Sequence, residues 1–303
     1  MSNIPLSQAL LELSEAIEQL ALALARQSNE DQKTGIKKIA VVTKQFKKMQ
    51  QQLQPDATHL KQLVKQKHKK HWLKNFLANR HVYSGQYLKH LRVDQKLLDT
   101  ARFLAHHYLE LENFYRQLKR HQHLKKDFEM LTNKQSLKYI RQWSEMLHKN
   151  KIIDAFALKG NNIDVDIKRI RQATEFINSY WLEILLRGEI ARFLRTNINR
   201  IMSFDIMAQV QIQKPGGQTS ELDLLLMLNE KVFWFECKSG HIGSKYYKLF
   251  KTHLKQLDIP YENAFLLVPE MHMNQAQYVK NQTGMSLLYA TDLQTQLHQK
   301  LIL

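Results

Sequence analysis

Apolar residues recur at two periods along the chain, and the change of period divides it. Leu10, Leu13, Ile17, Leu20 and Leu24 return at steps of three and four, predicting an amphipathic helix near the N-terminus. Its apolar face suits the protein's own core or a self-association seam. Leu60, Leu63, Val64, Leu73, Phe76 and Leu77 form a second helical face, and Leu97, Leu98, Phe103, Leu104, Leu109 and Leu111 a third, with lysines elsewhere. Pro55 and Gly85 are the expected breaks. From about residue 175 the texture changes. Phe176, Trp181, Leu182, Ile184, Leu185, Ile190 and Phe193 predict a buried helix, "AQVQIQ" alternates, and "LDLLLML", "KVFWFEC", "AFLLV" and "SLLYA" read as strands. "GSKYYKLFKTHLKQL" and "NQAQYVKNQ" read as helices between them. The expected order is α, β, β, β, α, β, α, β, a mixed α/β domain over 175–303. An all-α domain over 1–150 and a connecting segment over 151–174 precede it, so the expected fold is α+β with two domains.

Charge sharpens that division. Residues 1–30 carry a net −3, residues 31–150 a net +17, and residues 151–303 a net +3. Residues 31–150 also hold ten of the 14 histidines. A helical surface this basic attracts polyanions, with nucleic acid the expected partner and Lys65, Lys69, Lys70 and Lys74 candidate phosphate contacts. Solvated lysines or an anionic lipid surface are the competing readings. The paired histidines His68 and His71, His106 and His107, and His121 and His123 lack metalloprotease spacing and have no cysteine beside them. Glu12, Glu15 and Glu18 interrupt the apolar N-terminal run, which reads as neither a signal peptide nor a membrane span. The single cysteine, Cys237, permits no intrachain disulfide, and the expected compartment is the cytoplasm.

Chemistry concentrates in "ELDLLLMLNEKVFWFECKSG", residues 221–240, where Asp223, Glu236 and Lys238 interrupt apolar runs. With Asn229-Glu230 as a two-residue turn, Leu228 faces Lys231 and Asp223 falls opposite Glu236. Such pairs have Cβ atoms about 4.5–5.5 Å apart, close enough for two carboxylates to share a divalent cation. Side-chain alternation puts Glu236 and Lys238 on one face and Cys237 on the other as a small core residue. Two carboxylates and a lysine suit metal-assisted phosphodiester hydrolysis: oxygens for Mg2+ or Mn2+, and an ammonium for the developing phosphoryl charge. A buried ion triad without catalysis is the alternative. The segment "QKPGGQTSE", residues 213–221, is the expected turn between two strands.

"ELD" followed by "ECK", in the order αβββαβ, resembles the D…ExK core of the PD-(D/E)XK nuclease superfamily, whose domains are restriction-endonuclease-like. "FINSYWLE" and "YYKLFKTHLKQL…NAFLLV" are similar to the nuclease domains attached to CARF sensors in CRISPR ancillary nucleases. The resemblance covers roughly 175–290, with Ser179-Tyr180 in place of two glycines. It implies a nuclease acting on DNA or RNA, with defence against foreign nucleic acid as the setting. It further implies Glu183, Asp223, Glu236 and the Cys237 carbonyl as metal ligands, Lys238 as the catalytic amine, and Tyr247 and Lys248 as substrate contacts. Glu189 is a rival to Glu183. The first 150 residues show no alternating βα pattern and do not look like a CARF domain. A non-catalytic nucleic-acid-binding or adaptor protein is the alternative, and a homodimer would pair two sites.

Overall fold

The computed structural model describes residues 57–82, 93–121, 126–129, 134–159, 162–213, 217–240, 242–271 and 273–301. The N-terminal helix expected over Leu10–Leu24, the breaks at Pro55 and Gly85, and residues 214–216 of the expected turn lie outside them. Two compact units divide at Lys65 and Gln66. The first contributes described residues only in α1 (Ala57–Lys67).

The second unit is α+β. Its helical part runs through α2 (Trp72–Ala78), α3 (Gln95–His106), α4 (Tyr108–His121) and α5 (Lys134–Lys149). A small antiparallel sheet accompanies them, built from β1 (Lys126–Glu129), β2 (Ile153–Lys159) and β3 (Asn162–Ile167) in the order β1-β3-β2. Strand β1 therefore interrupts the basic segment that was read as all-helical, and the segment 151–174 holds β2 and β3. The strand signals there are weak: "KDFE" has a single apolar residue, and "NIDVDI" alternates polar with apolar residues over a span too short to stand out.

The remainder follows the expected order. Helix α6 (Arg171–Glu175), a π-helical turn (Phe176–Tyr180) and α7 (Trp181–Thr196) run on without a break. Then come β4 (Phe204–Gln213), β5 (Thr219–Leu228), β6 (Lys231–Cys237), α8 (Ser244–Leu257), β7 (Ala264–Val268), α9 (Met273–Thr283), β8 (Ser286–Tyr289) and α10 (Leu293–Lys300). The five strands pair in sequence order, β4-β5-β6 antiparallel and β6-β7-β8 parallel. The β5–β6 turn is at Asn229-Glu230, with φ of 47° and 69°, the two left-handed residues that a two-residue hairpin of matching twist requires.

Apolar faces explain the layering. Leu73 and Leu77 of α2, Phe250, Leu254 and Leu257 of α8 and Val279 of α9 join Leu225, Met227 and Trp234 in one core on one side of the sheet. Helix α7 packs on β7 and is in turn covered by α3 and α10. At the α3–α7 crossing, a Cβ at Gly188 would overlap the Leu98 side chain, so a larger residue there would force Leu98 to shift. Trp143, Phe114, Tyr115 and Trp181 fill the space among α4, α5 and α7. Among the described residues, no helix is long and apolar enough to cross a membrane.

Candidate functional site

Two local irregularities shape the site. On β4, Gln209 has φ of 49° and drops out of the β4–β5 ladder, although pairing continues in the same register on both sides of it. Met207, Val210 and Ile212, and opposite them Leu222, Leu225 and Met227, all reach one core. Both strands therefore change face at Gln209 and Asp223, since strict alternation would send Val210 and Leu222 to the other side. On the helical side, the π-helical turn lies one turn before Glu183, an extra-residue insertion of the kind that re-aims side chains at functional positions.

These irregularities bring Glu183 to the sheet. The side chain of Gln209 donates to Glu183 Oε2 at 3.1 Å. The β5–β6 register expected from the hairpin holds from Leu228–Lys231 to Leu224–Phe235. At the next step the Asp223 carboxylate takes over as acceptor, receiving the Cys237 N–H at Oδ2 over 2.6 Å. Lys238, just past the end of β6, sets its Nζ 2.9 Å from Glu236 Oε1. The Lys238 ammonium also lies 5.1 Å from the ring centre of Tyr246.

The electrostatics are unbalanced. Burial pushes Glu183 up to about 7, with Glu221 and Glu236 adding to the rise and Gln209 opposing it. Burial, then Glu236 and Glu183, holds Asp223 well above the usual carboxylate range. Burial likewise raises Glu236, against the pull of Lys238. For Lys238 burial acts downward, but Glu236 and Asp223 outweigh it and keep the ammonium protonated. Cys237 is 4% exposed, and burial drives its thiol far from the thiolate, so it is a core residue rather than a nucleophile.

Among the described residues, no three His, Cys, Asp or Glu side chains are already gathered as a metal cage. The donor set nonetheless fits a hard divalent cation. Asp223 and Glu236 flank the Lys238 ammonium, Glu183 lies within electrostatic reach of both carboxylates with Gln209 and Arg187 acting on it, and Glu236 Oε2 is buried with no hydrogen-bond partner.

The other expected residues fall elsewhere. Glu189 is buried in a 2.7 Å ion pair with Arg102 of α3, a bond within the helical packing. Tyr247 donates its hydroxyl to the Ile242 carbonyl at 2.7 Å, and the tyrosine facing Lys238 is its neighbour Tyr246. Lys248 is exposed on α8. Lys69 and Lys70 are exposed beside Phe204, where the Lys69 N–H donates to the Phe204 carbonyl. Phe204 pairs with Leu228, at the hairpin end of the sheet, five residues along β5 from Asp223 and so roughly 17 Å away. Lys74 lies on α2, whose first turn is bound by Asp205 at that same end through the Leu73 N–H. Lys65 is an exposed residue of α1. Of the paired histidines, His68 binds Asp205 at 3.1 Å and the His107 ring stacks on Tyr139 at 3.8 Å, while His123 lies outside the described residues.

Sequence reasoning missed a polar network behind Lys238. Ser239 Oγ donates to the Asn178 carbonyl in the π-helical turn at 2.7 Å, and Tyr115 of α4 donates to the same carbonyl at 3.2 Å. Trp181 Nε1 donates to the Tyr115 hydroxyl at 3.1 Å, and Lys119 Nζ donates to Ser239 Oγ at 3.0 Å. Asn178 and Ser239 adjoin quoted motifs and could have been suspected. Lys119 is one basic residue among many, with nothing in the sequence to single it out.

Fold and site together define an α+β protein whose mixed five-stranded sheet and covering helix gather three carboxylates and a lysine where β6 ends. No family model matches the chain, and no curated protein does. Solved structures of similar arrangement include protein VC1899 from Vibrio cholerae, at a TM-score of 0.52 and 20% identity, covering 74% of this chain and 60% of that one. Can2 from Sulfobacillus thermosulfidooxidans, in complex with cyclic tetra-adenylate, matches at a TM-score of 0.52 and 15% identity, covering 76% of this chain and 60% of its own. The chain thus spans about 60% of the length of each, and the likeness is one of fold.

Proposed function

We propose that this chain is a divalent-metal-dependent nuclease of the PD-(D/E)XK type, hydrolysing phosphodiester bonds of DNA or RNA. The observation that carries the reading is the pair Asp223 and Glu236 beside the Lys238 ammonium, with Glu183 within electrostatic reach of both and one Glu236 oxygen left unpartnered. Glu183, Asp223, Glu236 and the Cys237 carbonyl would hold a Mg2+ or Mn2+ ion, whose charge would offset their carboxylates. When bound, such an ion lowers the pKa of water and polarises a phosphoryl group.

The chain's own residues supply the rest. Lys238, kept protonated by its acidic neighbours, stands where charge accumulates on phosphoryl oxygens. Glu183, pushed up to about 7 without metal, can hold or give up a proton near neutrality. The Cys237 N–H fixes the Asp223 carboxylate, so its orientation does not depend on the ligand. Defence against foreign nucleic acid is the setting that the resemblance to CRISPR ancillary nucleases supports.

The test is a cleavage panel of supercoiled plasmid, single-stranded DNA and single-stranded RNA with Mg2+, Mn2+ or EDTA, beside Glu236→Ala and Lys238→Ala. Metal-dependent cleavage by wild type, lost in both variants while binding persists, is expected. Equal cleavage by all three proteins refutes the assignment. Salt-sensitive binding with no cleavage on any substrate would instead favour a gated enzyme awaiting an activator or a non-catalytic nucleic-acid-binding protein.

A further inference from the structure

Lys119 differs from the other lysines of the basic segment. It projects from α4 on the same side as Tyr115, one helical turn earlier, and reaches the two residues that follow Lys238. Its Nζ donates to Ser239 Oγ at 3.0 Å and lies 5.9 Å from the Tyr115 ring centre. An ammonium has three protons to donate, and this one spends a single proton on Ser239. No carboxylate pairs with Lys119 among the described residues.

The contrast with Lys238 is one of commitment. Lys238 is held by Glu236 at 2.9 Å, so much of its charge is already answered within the protein. Lys119 is half-buried against a hydroxyl and an aromatic face, with burial depressing its pKa and no nearby charge opposing that shift. Withdrawing an ammonium from water without a counter-charge is costly, and an arriving anion relieves the cost. Lys119 faces the loop that follows β6. Gly240 is exposed, and even a Cβ built there would stay 3.7 Å from Nζ.

We propose that Lys119 binds a backbone phosphate of the nucleic-acid substrate, so that the helical segment contributes directly to the site at the end of β6. The proposal rests on the nuclease reading for the identity of the ligand. Lys119 holds the strand, and the Ser239–Asn178–Tyr115 network fixes the height of its ammonium relative to Lys238.

Three variants of the full chain separate this role from a structural tether. Lys119→Gln keeps a donor for Ser239 and removes the charge, Lys119→Met removes both, and Lys119→Arg restores charge. Binding of matched single-stranded DNA and RNA oligonucleotides is measured in EDTA between about 50 and 200 mM salt. Loss of one phosphate contact lowers the slope of log affinity against log salt by about 0.7. The expected result is that loss in both Lys119→Gln and Lys119→Met, with the wild-type slope recovered in Lys119→Arg. A folded Lys119→Gln with the wild-type slope overturns the proposal, as does a wild type with no salt-dependent binding. If wild type binds, the slope falls in Lys119→Gln, and no metal supports cleavage, the phosphate contact stands and the nuclease reading alone fails.

Discussion

Replacing Glu183 by Gln should make the metal-free protein more stable at pH 8, although the substitution removes a candidate ligand. The glutamine keeps the carbonyl oxygen that accepts from Gln209 and deletes a charge that burial disfavours. In the folded chain the carboxyl titrates at about 7, against an ordinary value of 4.5. Between those values the folded state holds a proton that the unfolded state has released, so stability falls as pH rises through the window. The full cost is present above pH 7 and absent below about pH 4. At 1.36 kcal/mol per unit the ceiling is about 3 kcal/mol. Asp223 and Glu236 share in the proton uptake, which leaves about 1–3 kcal/mol for Glu183 itself. No helix-end dipole offsets this, because α6, the π-helical turn and α7 are continuous through Tyr180. A body of this size gains about 2–4 °C per kcal/mol, so thermal unfolding in EDTA at pH 8 should rise by roughly 2–12 °C. The same variant at pH 4 should match wild type. Equal or lower stability at pH 8, or the same gain at both pH values, would refute the argument.

Two further substitutions probe the scaffold. Arg102→Ala strands Glu189, 5% exposed, without its cation and should cost about 3 kcal/mol in urea unfolding, most of it recovered in Arg102→Ala/Glu189→Ala. Equal losses in the single and double variants would show that packing, rather than charge, is at stake. Gly284→Ala places a methyl 2.2 Å from the Tyr261 ring at a residue with φ of 76°, and should cost at least about 2 kcal/mol by thermal unfolding. A loss of only about 1 kcal/mol would mean that Tyr261, which is 54% exposed, swings aside and leaves the backbone strain alone, and a neutral result would refute the strain argument.

The α/β part was legible because its signals are local. Apolar runs bounded by breakers gave each strand, and the Asn229-Glu230 turn fixed the β5–β6 register by counting. The choice of Glu183 over Glu189 came from the resemblance, and the structure separates the two by what they touch: Gln209 of the sheet for one, Arg102 of a helix for the other. The partner of Glu189 lies 87 positions away in the chain, beyond the reach of periodicity. Lys119 and Ser239 are 120 positions apart, and the sequence offers no cue to their meeting. The position of the expected phosphate contacts was illegible for a related reason. Charge density singles out "KQKHKKHWLK", but Asp205 ties α2 to the hairpin end of the sheet.

The two places where regular structure fails have a common consequence. Periodicity alone would continue β4 as an alternating strand and the 171–196 segment as a plain α-helix. Gln209 enters the left-handed region instead, and the helix takes in a π-helical turn at Phe176–Tyr180. The first turns the Gln209 side chain to Glu183, and the second presents the Asn178 carbonyl to both Ser239 and Tyr115. A left-handed residue other than glycine costs about 1–2 kcal/mol. A chain selected only for stability would replace Gln209 with glycine, or restore the regular strand. Keeping a glutamine there makes sense if its amide is needed to hold a buried carboxylate whose charge burial and its acidic neighbours disfavour more than Arg187 and Gln209 offset.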